Sequence, residues 1–151
     1  MEQRKRVLVV DDDHEIRNLL SGALTQQGLT VDTAADGATA IELIAQVPYC
    51  VIVLDLVMPD VDGFVVLDHV RSRTAETQPV VLVVTGAEEP IVARLDPRLV
   101  HGIMRKPFDV HEVTNIVTAC AEIRTRSTFD KMALAALFAA PPLMAWLSRL
   151  Q

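Results

Sequence analysis

The stretch Cys50-Val51-Ile52-Val53-Leu54-Asp55-Leu56-Val57-Met58-Pro59-Asp60-Val61-Asp62-Gly63 decides the fold of this chain. A short apolar run ends in a carboxylate and then in a turn rich in proline, aspartate and glycine. An uninterrupted apolar run of this length reads as a strand covered on both faces, and open α/β sheets put their ligands at the carboxyl ends of such strands. Upstream, Val7-Leu8-Val9-Val10 ends the same way in Asp11-Asp12-Asp13. Two strand ends that deliver carboxylates point to one shared acidic pocket.

Working outward, short apolar runs alternate with amphipathic stretches from Val7 to about Ile123, the pattern of repeated βαβ units around a parallel sheet. Helices are expected over His14–Gln27, Gly37–Gln46 and Phe64–Arg73, with Gly28 ending the first and Pro48 lying just beyond the second. Strands are expected over Thr30–Ala34, Cys50–Leu54 and Val80–Val84, and a short last one at Ile103–Met104. Asp109 followed by Glu112 makes a capping-box pattern for a final helix carrying Val113, Ile116, Val117 and Cys120. The helix between the last two strands is expected to be irregular, because Pro90 can open it but Pro97 must end or kink it. These elements in this order imply a three-layer α/β/α sandwich. Four strand ends then carry polar groups: Asp11-Asp12, Asp55, Thr85 and Arg105-Lys106.

Composition narrows the function. The chain has 151 residues, half of them apolar, which suits one domain with a modest appendage and a complete core. Its net charge of -6 argues against a direct nucleic-acid partner, since phosphate backbones select basic patches, and favours cations instead. Cys50 and Cys120 sit inside apolar patterns and are expected as buried reduced thiols, which fits a cytoplasmic protein, and the basic start lacks a signal-peptide core. Asp13 is expected to cap the first helix rather than bind metal, and His14, His69, His101 and His111, lacking ligand spacing, are expected on the surface.

Hard divalent cations such as Mg²⁺ take oxygen ligands and keep several waters, so Asp11, Asp12 and Asp55 suffice with a carbonyl. Clustered carboxylates repel one another, and Lys106 with a metal supplies the compensating charge. A carboxylate held ionised in that setting can attack phosphorus to form an aspartyl phosphate.

The runs Val9-Val10-Asp11-Asp12, Leu54-Asp55-Leu56-Val57-Met58-Pro59 with Asp62-Gly63, Val84-Thr85-Gly86 and Lys106-Pro107-Phe108 resemble the receiver domain of two-component response regulators, over residues 6 to about 123. The resemblance implies a flavodoxin-like (βα)5 fold with sheet order 2-1-3-4-5. It implies that Asp55 accepts a phosphoryl group from a histidine kinase or histidine phosphotransfer protein. Asp12, the Asp55 carboxylate and the backbone carbonyl of Val57 would bind Mg²⁺ directly, Asp11 would act through a metal-bound water, and Lys106 would pair with a phosphoryl oxygen. Pro107 is similar to the family's cis-proline; Thr85 would move to the phosphoryl group, with Gly86 leaving room beside it. The protein would not be a turnover enzyme but would catalyse its own Mg²⁺-dependent aspartyl phosphorylation and dephosphorylation. One position departs from the family: Ile103, three before Lys106, stands where an aromatic residue coupled to the threonine is usual.

The C-terminal extension, residues 124–151, changes character, with four basic residues against one acidic one and an apolar stretch from Met132 to Leu147; that leaves residues 1–123 at -9. Ser127 can cap a helix with Phe129, Met132, Ala133, Ala136, Leu137 and Ala140 on one face and Leu134, Ala135 and Phe138 on the other, before Pro141-Pro142 breaks it. The stretch is too short and interrupted to span a bilayer, which needs about 20 residues. An intermolecular contact leads the expectations for it, as a homodimer or in a partner's groove; folding back onto the core and membrane-surface attachment follow. Some 28 residues after the last helix are too few for a winged helix or an enzyme, so the expectation is a stand-alone receiver whose output runs through protein contacts with a downstream target. A phosphorelay shuttle is a variant of that reading. Two other classes are weighed beside it: an aspartyl-phosphate hydrolase of the haloacid-dehalogenase type, which wants an aspartate where Val57 stands, and a flavodoxin-like mononucleotide binder, which wants hydroxyl-rich phosphate loops.

Overall fold

The computed structural model of the chain describes residues 5–74, 77–125 and 136–138. Strands and helices alternate as β1 (Arg6–Val10), α1 (His14–Gln26), β2 (Thr30–Ala34), α2 (Gly37–Gln46), β3 (Val51–Leu54), α3 (Gly63–Arg71), β4 (Val80–Thr85), α4 (Glu89–Val92), β5 (Gly102–Arg105) and α5 (Val110–Thr125). The strands form one parallel sheet in the order β2-β1-β3-β4-β5. The elements coincide with the periodicity to within one or two residues at each end, β5 being longer by one residue at both.

Alternation along each strand splits the core into two layers, because successive side chains point to opposite faces of a sheet. Leu8, Val10, Ile52, Leu54, Val81 and Val83 pack under α2, α3 and the α4 region. Val7, Val9, Val51, Val53, Leu82 and Val84 pack with Leu20 and Leu24 of α1 and Val113, Val117 and Cys120 of α5. This is the expected three-layer sandwich. Both cysteines are free and buried, and burial pushes their thiols up to about 11 for Cys50 and about 12 for Cys120, so they serve as core residues.

The helix starts are set by aspartates. Asp13 accepts from the Glu15 amide at 2.9 Å, Asp36 from the Thr39 amide at 2.8 Å, Asp62 from the Phe64 amide at 2.9 Å and Asp109 from the His111 amide at 2.8 Å. Each satisfies an amide that the helix itself leaves without a partner. The α4 helix lacks such a cap: Glu88 makes no side-chain bond there, and with Pro90 at its start and Pro97 downstream it is a single turn. That is the irregular element expected from the prolines.

Two features go beyond the sequence reading. His101, expected on the surface, is half-buried at the entry to β5, where its Nδ1 accepts from the Val81 amide at 3.1 Å and its own amide donates to the Val81 carbonyl at 2.9 Å. The imidazole thereby extends the β4–β5 ladder by one rung, which spacing along the chain does not reveal. The second concerns the C-terminal extension: among its described residues 136–138, Phe138 is buried in the core, Leu137 packs against it and Ala136 is exposed. Phe138 is only 4 % exposed and belongs to the α1–α5 layer. Its ring lies over Gly102, where an added Cβ would meet ring atoms at 2.4 and 2.8 Å, and its centroid is 6.4 Å from that of His101. A glycine at the start of the edge strand therefore makes the seat for Phe138. The rest of the expected tail helix and the segment after Pro141-Pro142 lie outside the described residues.

Gly102→Val and Phe138→Ala are each expected to lower unfolding free energy by about 2 kcal/mol, the worth of burying one large apolar side chain. Because both remove the same contact, the double variant loses no more than the worse single one in denaturant titrations; full additivity would mean that the ring and the glycine do not interact.

A second expectation concerns pH. Burial, aided by the Arg124 charge, holds His101 below the usual imidazole value, so the folded state favours the neutral ring. Stability is then fully present above about pH 6.5, the unfolded value, and is lost as pH falls through the lower folded value. Unfolding measured at pH 7.5 and below 6 should show a smaller loss for His101→Gln than for the unaltered protein.

Candidate functional site

Parallel register brings the polar strand ends together. Val10 is level with Leu54, so Asp11 and Asp55 leave their strands side by side; Leu54 is level with Val83 and Thr85 with Arg105, so Thr85 and Lys106 follow at the same end. Hydrogen bonds carry that alignment past the strands, since the Asp55 amide donates to the Val10 carbonyl at 2.9 Å and the Lys106 amide to the Thr85 carbonyl at 3.0 Å.

The centre of the site is one ammonium shared by two buried carboxylates. Lys106 Nζ lies 2.8 Å from Asp11 Oδ2 and 3.0 Å from Asp55 Oδ2. The other oxygen of each carboxylate is held by backbone: Asp11 Oδ1 accepts from the Asp13 amide at 2.9 Å, and Asp55 Oδ1 from the Val57 amide at 3.3 Å. Both acids are nearly inaccessible, at 3 % and 5 % exposure, whereas Asp12 beside them is exposed. Asp11, Asp12 and Asp55 each present a carboxylate oxygen within 4.8 Å of the others.

The electrostatics of the trio are unbalanced. Burial raises Asp11 above the usual carboxylate value, against the opposing effects of the Lys106 bond and the Asp13 amide. For Lys106 burial acts the other way, but the bonds to Asp11 and Asp55 outweigh it and hold the ammonium above its ordinary value. Three carboxylates against one ammonium leave negative charge to spare. Their oxygens form the donor set that a hard divalent cation selects, so these residues fit Mg²⁺.

Close backbone approaches shape the rim. An added Cβ at Gly63 would lie 2.6 Å from the Asp55 carbonyl oxygen and 2.8 Å from Leu56 Cα, so only glycine lets α3 begin against the end of β3. At Gly37 the clash would be with the Val61 carbonyl at 2.3 Å, which seats the 56–62 loop on the start of α2. The Arg17 guanidinium donates to the Asp11 carbonyl at 2.8 Å and steadies the acidic end of β1 from α1.

Of the residues expected in the site, Asp11, Asp12, Asp55 and Lys106 are brought into one cluster, and the Val57 backbone borders it. Thr85 is fully buried one step along, where its hydroxyl accepts from the Ala87 amide at 3.1 Å. The Lys106–Pro107 peptide bond is cis. Asp13 caps α1, as expected. Arg17 was not singled out in the sequence, and Gly37 and Arg105 were read only as a helix start and a polar strand end; the contacts of the two arginines reach across the fold and have no local signal.

Residues 7–118 match the response regulator receiver domain family. Among curated proteins the chain is similar to the transcriptional regulatory protein TcrA of Mycobacterium tuberculosis, 37 % identical over 108 residues, covering 72 % of this chain and 42 % of that protein. It is also similar to the regulatory protein AtoC of Escherichia coli, 32 % identical over 120 residues that cover 80 % of this chain and 26 % of AtoC. The chain thus spans less than half the length of these relatives. Among solved structures it resembles the response regulator TrrA of Thermotoga maritima in complex with Mg²⁺ and beryllofluoride, with a TM-score of 0.66 and 28 % identity over 77 % of this chain and 98 % of that one. With its parallel sheet and acidic strand ends already explained by its own residues, the chain belongs to the response regulator receiver domain family.

Proposed function

We propose that this chain accepts a phosphoryl group on Asp55 from a histidine kinase or histidine phosphotransfer protein and signals through a phosphorylation-dependent protein contact. The observation that carries the reading is the Lys106 ammonium bound to both Asp11 and Asp55. It holds the Asp55 oxygen in place before transfer and can pass to a phosphoryl oxygen afterwards. In the transfer a bond forms between an Asp55 carboxylate oxygen and phosphorus while the phosphorus–nitrogen bond of the donor histidine breaks. The electron pair leaves with the imidazole, which takes up a proton.

Asp12, the Asp55 carboxylate and the Val57 carbonyl would hold Mg²⁺, with Asp11 acting through a bound water; the ion supplies positive charge to the incoming phosphoryl oxygens. Asp12 is exposed and so open to exchange of the ion, whereas Asp11 and Asp55 are buried and oriented. Thr85 is the proposed reader of the phosphoryl group, because its hydroxyl is now turned to its own loop and lies one register step from the acids. An aspartyl-phosphate hydrolase is disfavoured by position 57, where an exposed valine stands in place of the acid it needs. The buried reduced thiols fit a cytoplasmic setting, and no helix among the described residues is long and apolar enough to cross a membrane.

Asp55→Asn is expected to abolish phosphoryl incorporation from acetyl phosphate, and chelation of Mg²⁺ to stop it in the unaltered protein. Wild-type stoichiometry in Asp55→Asn would sink the assignment. The phosphorylated protein is also expected to lose its label slowly, because exposed Val57 and buried Ala87 offer no side chain to orient an attacking water. Decay of purified phosphoprotein measures this, and introducing glutamate at position 57 or 87 should hasten it.

A further inference from the structure

We propose that Arg105 is the residue that locks the β4–α4 loop to the strand end carrying Lys106, and that this lock opens when Asp55 is phosphorylated. The proposal rests on the phosphoacceptor reading above. Arg105 is the last residue of β5, so Lys106 immediately follows it and turns into the acidic pocket. Its own guanidinium reaches the other way, donating from Nη1 to the Ala87 carbonyl and from Nη2 to Glu89 Oε2 at 2.7 Å.

Beside the burial of Thr85 and Ala87, the polar fastening of the segment Thr85–Glu89 comes chiefly from the end of β5. The Lys106 amide holds the Thr85 carbonyl at 3.0 Å, Arg105 holds Ala87 and Glu89, and the Thr85 hydroxyl closes the turn onto the Ala87 amide. The α4 helix has no side-chain cap, so the Arg105 contact with Glu89 in its first turn is a substitute anchor for its start. Ile103 packs against the same side of the sheet as Val92 and can form no polar contact through its side chain. The polar link between the pocket and α4 on this strand is then Arg105.

The link is sensitive to what happens at Asp55. Lys106 is bound to two carboxylates at rest, and a phosphoryl oxygen in place of one of them shifts the end of β5 on which Arg105 sits. A Thr85 hydroxyl that moves towards that group draws the Ala87 amide it accepts from along with it, and the Arg105 contacts to Ala87 and Glu89 oppose the move. Arg105 and Glu89 are each about half exposed, so their pairing is of the modest strength that a ligand at the pocket can overcome. Arg105 is thus a positioning residue that sets the resting state of the loop.

The test is beryllofluoride binding in Mg²⁺, followed by fluorine resonance, with amide exchange of residues 86–92 as a second readout. In the unaltered protein, binding should speed exchange across that segment. Arg105→Met should show fast exchange there without ligand and bind beryllofluoride about two- to fivefold tighter, since no lock remains to be opened. With Mg²⁺ saturating for every variant, removing a cation near the site would by charge alone weaken the anionic ligand, so tighter binding separates a lock from a field effect. Glu89→Gln, which leaves the Ala87 bond intact, should give a smaller change in the same direction. Unchanged or weaker binding by Arg105→Met, or slow exchange in its free form, overturns the lock alone. Failure of the unaltered protein to bind beryllofluoride overturns the phosphoacceptor reading, and the lock with it.

Discussion

Burying two carboxylates next to each other is costly unless a cation compensates them, and in this protein the compensation is a single lysine. Lys106 Nζ bridges Asp11 and Asp55, which come from the ends of different strands, and it arrives from a third. That contact ties β1, β3 and the end of β5 together at the pole of the sheet where the backbone ladder has run out. It also leaves the pocket short of positive charge, with Asp12 adjacent and exposed. A site that is stable yet unbalanced in this way is prepared to take up a cation and a transferable anion.

The remainder of the molecule presents that pocket with little freedom. Two apolar layers hold the strands in register, aspartate caps start the helices, and Gly63 and Gly37 let the neighbouring loops close onto the backbone near Asp55. The β4–α4 segment is the exception. Its helix is one turn long and lacks a side-chain cap; Ala87 and Val92 are buried in the core, while its start is tied down by polar contacts with Thr85 and Arg105.

At the other end of β5, away from Lys106, Phe138 packs on the face of the strand's start, seated on a glycine that has no side chain to obstruct it. The apolar character of the C-terminal tail offered several readings in the sequence, and among its described residues Phe138 is part of the chain's own core.

The sequence by itself determined the order and type of the elements, because unbroken apolar runs and 3.6-residue periodicity are local properties of the chain. It also determined the chemistry of the pocket, since a sheet of this kind places strand-end carboxylates, a threonine and a lysine at one pole whatever the details between them. Only the tertiary structure decided which of those groups meet. Strand register set Lys106 between Asp11 and Asp55 and left Thr85 bonded to its own loop. Burial turned His101 into a rung of the sheet, and packing gave Phe138 its seat on Gly102. Arg105 reaches Ala87 and Glu89 across a gap of more than a dozen residues, and a contact of that span has no periodicity by which a sequence could announce it.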